Sequence, residues 1–511
     1  MTMKALAVVS TAVALTAAAC APVRPAVPGL DPRQTPTWSA ADQRDFLYGS
    51  MGNEFVPERF LRAFIAAYPD LFPGGGLAAF GVLAEPGREW PVGFSRRAVT
   101  HLGNQPSIGM NCAACHLAEF REAADRPGLR VIGPPALFDV YAFSGALAVS
   151  MARTTEPANM VGFLSAYMPA ARARIDARAD TIRTAVAADP LTSKGLAPEA
   201  LHDVAAGDLD AEDPVVVALA VLKVLHNMRT ALHLPAKLPP PVPTLPGPGR
   251  TDAFGVLSVG LLATPARFDA PVKYGFPWNL DRRTWVHWDG NNRDPLARNV
   301  EATLGLGAPT GGGGRLLDFA LVRRQTDLTQ RIRPPRYPWP VDGAAAGRGA
   351  ALYRAHCASC HDGVPEDQRL HAVEQIGTDP NRARLFDQTQ ADRTNAWLAA
   401  LKVPGYSPSP QSYRSTGKYW APDLDAAWAR SPYLHNGSVR TMWDLLTPPA
   451  QRPRAFRRGS RVFDQAALGF LDAGPFVLDT TVSGNASTGH AYGTDLPDDA
   501  KRDLIEYLKT R

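Results

Sequence analysis

A short motif that occurs twice constrains this chain more than any other feature. Cys-x-x-Cys-His is found at residues 112–116, within NCAACHLAEF, and again at residues 357–361, as CASCH. The chain has only 5 cysteines, and all but Cys20 belong to these two motifs. So economical a use of cysteine indicates that each motif carries specific chemistry, because an extended disulfide framework would need more cysteines at other positions.

Three kinds of chemistry fit a Cys-x-x-Cys-His motif. A redox dithiol has no need of the histidine, and one zinc ion would have to gather four ligands from two distant segments. Covalent haem attachment uses every residue, since two thiols bond the porphyrin and the histidine ligates the iron. We therefore predict two covalently bound haem c groups. The residues predicted to hold haem one are Cys112, Cys115 and His116, and those for haem two are Cys357, Cys360 and His361.

The N-terminal sequence is typical of an export signal. Lys4 precedes an apolar run from Ala5 to about Ala19, so we interpret residues 1–19 as a signal peptide. Cys20 stands where a lipoprotein would be acylated, although ordinary cleavage near Ala19 is the alternative, and residues 20–38 read as a proline-rich tether. These features predict a periplasmic protein with a lipid anchor through Cys20, or else a secreted protein.

Composition limits the remaining classes of function. The formal net charge is +5 and 20% of residues are charged, without a long run of one sign, so nucleic acid is not an expected partner. With 511 residues, 45% of them hydrophobic, the chain is long enough for two or three cores. Beyond the N-terminal run, no apolar stretch is long enough to predict a membrane-spanning helix.

The expected fold is mainly α, with two cytochrome c-like haem domains, a helical insertion and long irregular loops. The proline-rich segment RIRPPRYPWPVDG separates a haem-one domain at residues 39–340 from a haem-two domain at residues 341–511. Helical patterns between about 155 and 235, followed by a proline-rich connector, predict an insertion over about residues 155–250. A helix leading into CASCH and a terminal helix in LPDDAKRDLIEYLKTR are typical of small c-type cytochromes.

The two haems are expected to differ in their second axial ligand. His490, in STGHAYGTDL, precedes the terminal helix and is our candidate for haem two, with Met442 as the rival. After His116 the next histidine is His202, so haem one lacks an obvious partner, although Met151 is an alternative. An open sixth position is what chemistry on a small molecule requires.

Two further segments resemble the bacterial di-haem cytochrome c peroxidase superfamily. WVHWDGNNRDPLARN is similar to the family's Trp-Asp-Gly segment, and SPYLHNGSVRTMWDLL to its Pro-Tyr-x-His-x-Gly segment. The resemblance covers about residues 95–120 and 270–511. It implies that Trp288 lies between the haems, that His435 lies near haem two, and that Asn299 is close to the family's distal glutamine position.

The departures from that family make the chain look closer to its rubber-oxygenase-like branch. His490 stands where the usual peroxidase has methionine, and the histidine that blocks haem one in the resting state is missing. The resemblance then implies dioxygen or hydrogen peroxide binding at haem one, with Trp288 assisting electron transfer. Glu301 is the candidate acid or base, and Phe276 and Trp278 would line a dry pocket.

Two other functions remain open. A non-catalytic di-haem carrier, exchanging electrons with another periplasmic protein, would have both irons six-coordinate. Relatives that form tryptophylquinone in another protein have tyrosine at the position of His490, which argues against that activity. The sequence does not identify a substrate.

Overall fold

The computed structural model describes residues 30–188, 212–231 and 242–511. About 45% of the described residues are helical and 12% lie in strands, which agrees with the prediction of a mainly α fold. In these ranges the α-helices of more than four residues are α1 Ala40–Tyr48, α2 Glu58–Ala67, α3 Cys112–His116, α4 Val140–Thr154, α5 Pro157–Tyr167, α6 Arg172–Ala177, α7 Ala179–Ala188, α8 Pro214–Ala231, α9 Pro295–Gly305, α10 Phe319–Gln330, α11 Gly343–His356, α12 Asn381–Leu385, α13 Gln388–Ala400 and α14 Asp498–Lys509.

Short helical turns and small sheets connect these helices. The four-residue helices are Ala253–Val256, Gly311–Gly314, Ala358–His361, Val373–Ile376 and Met442–Leu445. The strands are β1 Val56–Pro57, β2 Phe94–Val99, β3 Gln105–Met110, β4 Leu117–Phe120, β5 Leu129–Ile132, β6 Arg250–Thr251, β7 Val272–Lys273, β8 Leu370–Ala372, β9 Lys418–Trp420, β10 Ala455–Arg458, β11 Phe463–Asp464, β12 Gly469–Phe470 and β13 Phe476–Asp479. Only β1, β3 and β2 form a three-stranded sheet within the described part of the chain; the other strands there pair two by two.

The three-stranded sheet positions the first haem motif. Strand β3 pairs with β1 and β2 and ends at Met110, one residue before the motif helix α3. Asn111 caps α3 by accepting a hydrogen bond from the Ala113 amide, and its own amide donates to the Gly49 carbonyl at 2.8 Å. Gly93 has a φ of +88°, and a Cβ there would lie 2.2 Å from the Ala114 nitrogen. Only glycine therefore lets the sheet approach α3 this closely.

The predicted helical segment does contain helices. Helix α5 packs on α2, and α4 to α8 share with α2 a core that is rich in aromatic rings, including Phe60, Phe64, Phe163 and Tyr167. Burial of this apolar surface away from water stabilises the packing. That the segment is an insertion between two parts of a haem-one domain stays a prediction.

The second haem motif lies beside a crossing of two helices. Helix α11 leads into the motif, and the terminal helix α14 begins with Asp498 and Asp499 in its first turn, as predicted. At the crossing, a Cβ on Gly349 would lie 2.0 Å from the Asp503 carbonyl oxygen, so glycine permits the close approach. Arg348 adds a two-pronged ion pair to the Asp503 carboxylate, at 2.6 and 2.7 Å.

Residues on both sides of the predicted domain boundary at 340 share one hydrophobic core. Phe120 in β4 packs against Trp428, Phe463 and Phe470, with ring centroids 5.0 to 5.3 Å apart. The same cluster includes residues of the haem-one segment and of the terminal helix. This cluster therefore draws on both parts, whereas the core around α2 and α5 lies wholly in the first; the division into 39–340 and 341–511 stays a prediction.

Several predictions fall on residues outside the described ranges. These are the signal peptide at residues 1–19, the lipid attachment site Cys20, most of the tether at residues 20–38, and His202 within the helical segment. In the ranges that are described, no helix is long and apolar enough to cross a membrane.

Candidate haem sites

The first motif presents its histidine on a short, well-anchored helix. Residues 112–116 form α3, and the backbone continues directly into β4. The His116 carbonyl accepts a hydrogen bond from Gly133 at 2.7 Å, and its ring meets the Tyr274 ring edge-on, with centroids 6.2 Å apart. Burial lowers the pKa of His116 to about 3, so the imidazole is neutral, as a metal ligand must be.

The chemistry of the four motif cysteines fits thioether formation better than the alternatives. None of the four forms a disulfide, and burial raises the pKa of Cys112 to about 11, of Cys115 to about 12 and of Cys357 to about 11. A catalytic dithiol needs a lowered pKa, so these raised values argue against that interpretation. In the described ranges no three His, Cys, Asp or Glu side chains form a group able to hold a metal ion.

The second motif faces the predicted sixth ligand. His361 donates from Nδ1 to the Pro422 carbonyl at 2.7 Å, which leaves Nε2 free to ligate. The rings of His361 and His490 have centroids 6.4 Å apart. Two imidazoles on opposite sides of one ion have centroids about 6 Å apart, because each metal–nitrogen bond is about 2 Å long. The separation fits one iron between them.

The loop that carries His490 is held by a buried arginine. Arg452 donates from Nη1 to the carbonyls of Ser487 and Gly489 at 2.6 and 2.8 Å, and from Nη2 to the His490 carbonyl at 3.1 Å. His490 itself has a φ of +47°, an uncommon conformation for a residue other than glycine. These contacts compensate for that backbone conformation and fix the direction of the ring. Met442, the rival ligand, is buried in the shared hydrophobic core.

Trp288 lies in a chain of aromatic rings that begins near His116. Trp278 donates from its indole nitrogen to the Ile132 carbonyl, next to Gly133, and stacks on Phe276 with centroids 5.0 Å apart. Phe276 then meets Trp288 edge-on at 5.6 Å. The Trp288 carbonyl accepts a hydrogen bond from the Trp420 amide at 2.8 Å, two residues before Pro422, the partner of His361. Contacts thus link Trp288 to segments beside each motif, and its place between two haems stays a prediction.

His435 packs against strand β9, and its Nε2 is engaged in a hydrogen bond. Its ring stacks on Tyr419 at a centroid distance of 4.1 Å. The Tyr419 hydroxyl donates to the Asp379 carbonyl at 2.6 Å and accepts from His435 Nε2 at 3.0 Å. This geometry therefore argues against His435 as a direct haem ligand. Its ring packs on strand β9 instead. Its assignment to the surroundings of haem two stays a prediction.

Glu301, the candidate acid or base, is buried on helix α9. Its carboxylate accepts a hydrogen bond from the Tyr413 hydroxyl at 2.5 Å. Burial raises the pKa of Glu301 to about 7, against the opposing effects of Tyr413 and of the charges on Arg298 and Arg382. A carboxyl with a pKa near neutrality is suited to proton transfer. Asn299, by contrast, donates to the Thr326 hydroxyl at 2.8 Å and belongs to the packing of α9 on α10.

The charge of Arg298 acts on both this carboxyl group and the first motif. It adds to the effect of burial in lowering the pKa of His116, and it partly opposes the rise in the pKa of Glu301. The pKa of His287 is lowered by burial and also by the charge of Arg298. Its Nδ1 contacts the Asn291 side-chain oxygen at 2.8 Å. Sequence reasoning did not select Arg298, His287 or Tyr413. Only the position of His287 and Arg298 inside WVHWDGNNRDPLARN could have indicated them.

Comparison with known proteins supports the class of protein that these sites define. A family model described as RoxA-like, cytochrome c-like matches residues 417–457, the stretch that carries Tyr419, His435 and Arg452. The chain is 31% identical to the uncharacterized protein y4iM of Sinorhizobium fredii over 279 residues, which is 46% of this chain and 63% of y4iM. It therefore spans less than two thirds of that relative.

Two further relatives match over different extents. The uncharacterized protein y4iJ of Sinorhizobium fredii is 26% identical over 552 residues, which is 87% of this chain and 86% of y4iJ. The cytochrome-c peroxidase IdrP1 of Denitromonas iodatirespirans is 26% identical over 139 residues, which is 24% of this chain and 37% of that protein. The chain thus contains a cytochrome c-like stretch at residues 417–457, and its similarity to a cytochrome-c peroxidase supports haem c as cofactor and a haem-based redox function at the level of the class.

Proposed function

We propose that the protein is an exported di-haem c-type cytochrome that acts as a redox enzyme. In this proposal a small oxidant, dioxygen or hydrogen peroxide, binds at haem one, and haem two relays electrons. The observation that carries the proposal is the asymmetry between the two motifs. His361 faces a second imidazole, that of His490, at 6.4 Å, whereas the ring contact recorded for His116 is with Tyr274.

The protein's own residues supply most of the proposed chemistry. A bound haem provides an iron that exchanges electrons and, where a coordination position is open, binds a small oxidant. Glu301 holds or releases a proton at its carboxyl oxygen, and Tyr413 orients that carboxyl. The aromatic chain from Trp278 to Trp288 excludes water from the region between the motifs and shortens the distance that an electron must travel.

The finer assignment to the rubber-oxygenase-like branch belongs to this proposal. It is supported by the RoxA-like description of the matching family model and by the imidazole at position 490, where the usual peroxidase has methionine. The peroxidase alternative is supported by the similarity to IdrP1. The buried Glu301 is compatible with either reaction, because both involve proton movement to oxygen.

Electron paramagnetic resonance and optical spectra, recorded with and without imidazole or carbon monoxide, test the proposed function. We expect two haems per chain by mass, one that takes the external ligand and one that is low-spin and refuses it. His490→Ala should convert haem two to a ligand-accepting form. Met442→Leu, a volume-conserving change in the rival ligand, should leave both spectra unchanged. Two low-spin haems that refuse every ligand would indicate the non-catalytic electron carrier instead.

We also propose export and a lipid anchor at Cys20, which the sequence pattern alone supports. The mature protein should fractionate with membranes and carry acyl mass at its N-terminus. Cys20→Ser should release it into the periplasmic fraction. An unmodified N-terminus at residue 20 or 21 in the periplasm would contradict the anchor but not the export.

A further inference from the structure

Arg382 is a buried cation whose hydrogen bonds the described residues do not complete. It lies on the short helix α12 and is only 6% exposed. Its guanidinium carbon lies 3.5 Å above the ring centroid of Phe254. Among the described residues, the guanidinium donates one hydrogen bond, from Nη2 to the Asp289 carboxylate at 3.2 Å. Nε and Nη1 are buried and have no partner among the residues that the structure describes.

Other buried arginines in this protein show that the fold normally provides such partners. Arg250, which is fully buried, donates from Nε to the Pro246 carbonyl at 2.6 Å and from Nη1 to Asn436 and Asn485 at 2.8 and 2.9 Å. Arg452 similarly donates from all three of its nitrogens to backbone carbonyls. Across the described ranges, Arg382 is the one arginine with two buried nitrogens left unpaired. Buried donors of a charged group are costly to leave unpaired, so a ligand is expected there.

The contacts of Arg382 link it to the segments around Trp288 and around His435. Asp289, its ion-pair partner, follows Trp288 directly in the chain. Phe254, beneath the guanidinium, meets the His287 ring edge-on with centroids 6.0 Å apart. The amide of the next residue, Ala383, donates to the Tyr419 hydroxyl at 3.2 Å, and Tyr419 stacks on His435. Arg382 therefore lies between the segment that carries Trp288 and strand β9.

The donors of Arg382 define the chemical class of that ligand. A guanidinium presents its N–H groups in a planar fork that matches a carboxylate. The one carboxylate already present, that of Asp289, leaves Nε and Nη1 unused. We propose that Arg382 binds a second carboxylate, supplied by a haem propionate. This inference rests on the proposed function, since it requires haem to be bound between these segments; a free carboxylate molecule is the other source of the same chemistry.

The test compares midpoint potentials of the holoprotein and its variants. Arg382→Leu removes a buried positive charge, which should favour the ferric state of the haem whose propionate it binds. We expect at least a tenfold change in the ferric-to-ferrous ratio of that haem, equivalent to a midpoint lowered by about 59 mV for one electron. The matched control is Arg384→Leu on the same helix, because the Arg384 side chain is 63% exposed and pairs only with Glu374 at the surface. It should leave both potentials unchanged.

The conservative variant Arg382→Lys and added acetate distinguish a haem propionate from a free carboxylate at Arg382. Arg382→Lys retains the charge but not the fork, so it should fold, keep its haem content and show a smaller shift in the same direction. If acetate shifts the wild-type spectrum saturably, and Arg382→Leu loses this response while its acetate-free potentials stay unchanged, the carboxylate is a free one. Potentials of both Arg382 variants equal to those of Arg384→Leu, without an acetate response, would overturn the inference.

The results that would contradict the proposed function differ from those that would overturn the inference about Arg382. A count of one haem per chain, or two haems that refuse every ligand, would contradict it. The comparison of potentials still tests Arg382 on whichever haem is present.

Discussion

At the scale of single residues, Glu301 shows how burial changes what a side chain does. Its ordinary pKa of 4.5 is raised to about 7 because the ionised carboxylate is poorly solvated. The folded protein therefore holds a proton that the unfolded chain loses between these two values. Stability falls as the pH rises through that window, since the unfolded state binds fewer protons there.

Glu301→Gln should remove this pH-dependent cost. We expect the variant to gain stability relative to the wild type between about pH 5 and about pH 8, by up to about 3 kcal/mol, because one pKa unit corresponds to about 1.4 kcal/mol. Denaturant unfolding at several pH values measures the gain. Glu374→Gln, at an exposed carboxylate, should show no such gain. Equal pH dependence in both variants would mean that Glu301 is ionised normally in the folded protein.

At the scale of elements, the crossing of α11 and α14 depends on one glycine. A Cβ at Gly349 would lie 2.0 Å from the Asp503 carbonyl oxygen and 2.9 Å from the Tyr507 Cβ. Such an overlap forces the two helices apart, and overpacking of this kind costs about 1–3 kcal/mol. The haem-two motif follows α11 directly, so the displacement should also reach His361.

Gly349→Ala should therefore lower the free energy of unfolding and broaden the haem-two absorbance band. Gly347→Ala is the matched control, because a Cβ at Gly347 meets nothing within 4 Å. That substitution should stabilise the helix by about 0.5–1 kcal/mol, since alanine has a smaller backbone entropy cost than glycine. Guanidinium denaturation measures both. Equal stabilisation by the two alanines would show that the helices do not meet at Gly349.

At the scale of the whole molecule, the shared core predicts that both halves unfold together. Phe120 lies in the first half, and its ring neighbours Trp428, Phe463 and Phe470 lie in the second. A core that neither half completes alone should give one cooperative transition, with coincident curves at the bands of haem one and haem two.

Phe120→Ala should lower both unfolding midpoints by the same amount. The loss of a buried phenylalanine typically costs about 3–5 kcal/mol. Val477→Ala is the control, because Val477 in β13 is 51% exposed. This substitution should change neither midpoint appreciably. Two separate transitions, with Phe120→Ala moving only one of them, would instead support independent domains at 39–340 and 341–511.

The sequence by itself determined the chemistry that is local in the chain. Each Cys-x-x-Cys-His motif places its two thiols and its imidazole on one short helix, so the spacing alone indicated haem c. The helices leading into and closing the second half, and the mainly α composition, followed from periodicity and capping patterns. His490 was chosen from its place before the terminal helix, and its ring does lie opposite His361.

Only the tertiary structure decided which distant residues surround those motifs. Tyr413 reaches Glu301 across 112 positions of sequence, and Arg382 reaches Asp289 across 93. Neither contact follows a periodic pattern, because each joins a helix residue to a residue of a distant chain segment. The shared core around Phe120 could not be predicted from the sequence either, since contacts between distant chain segments depend on three-dimensional packing and not on local composition. Local spacing specified the cofactor, and long-range packing specified its surroundings.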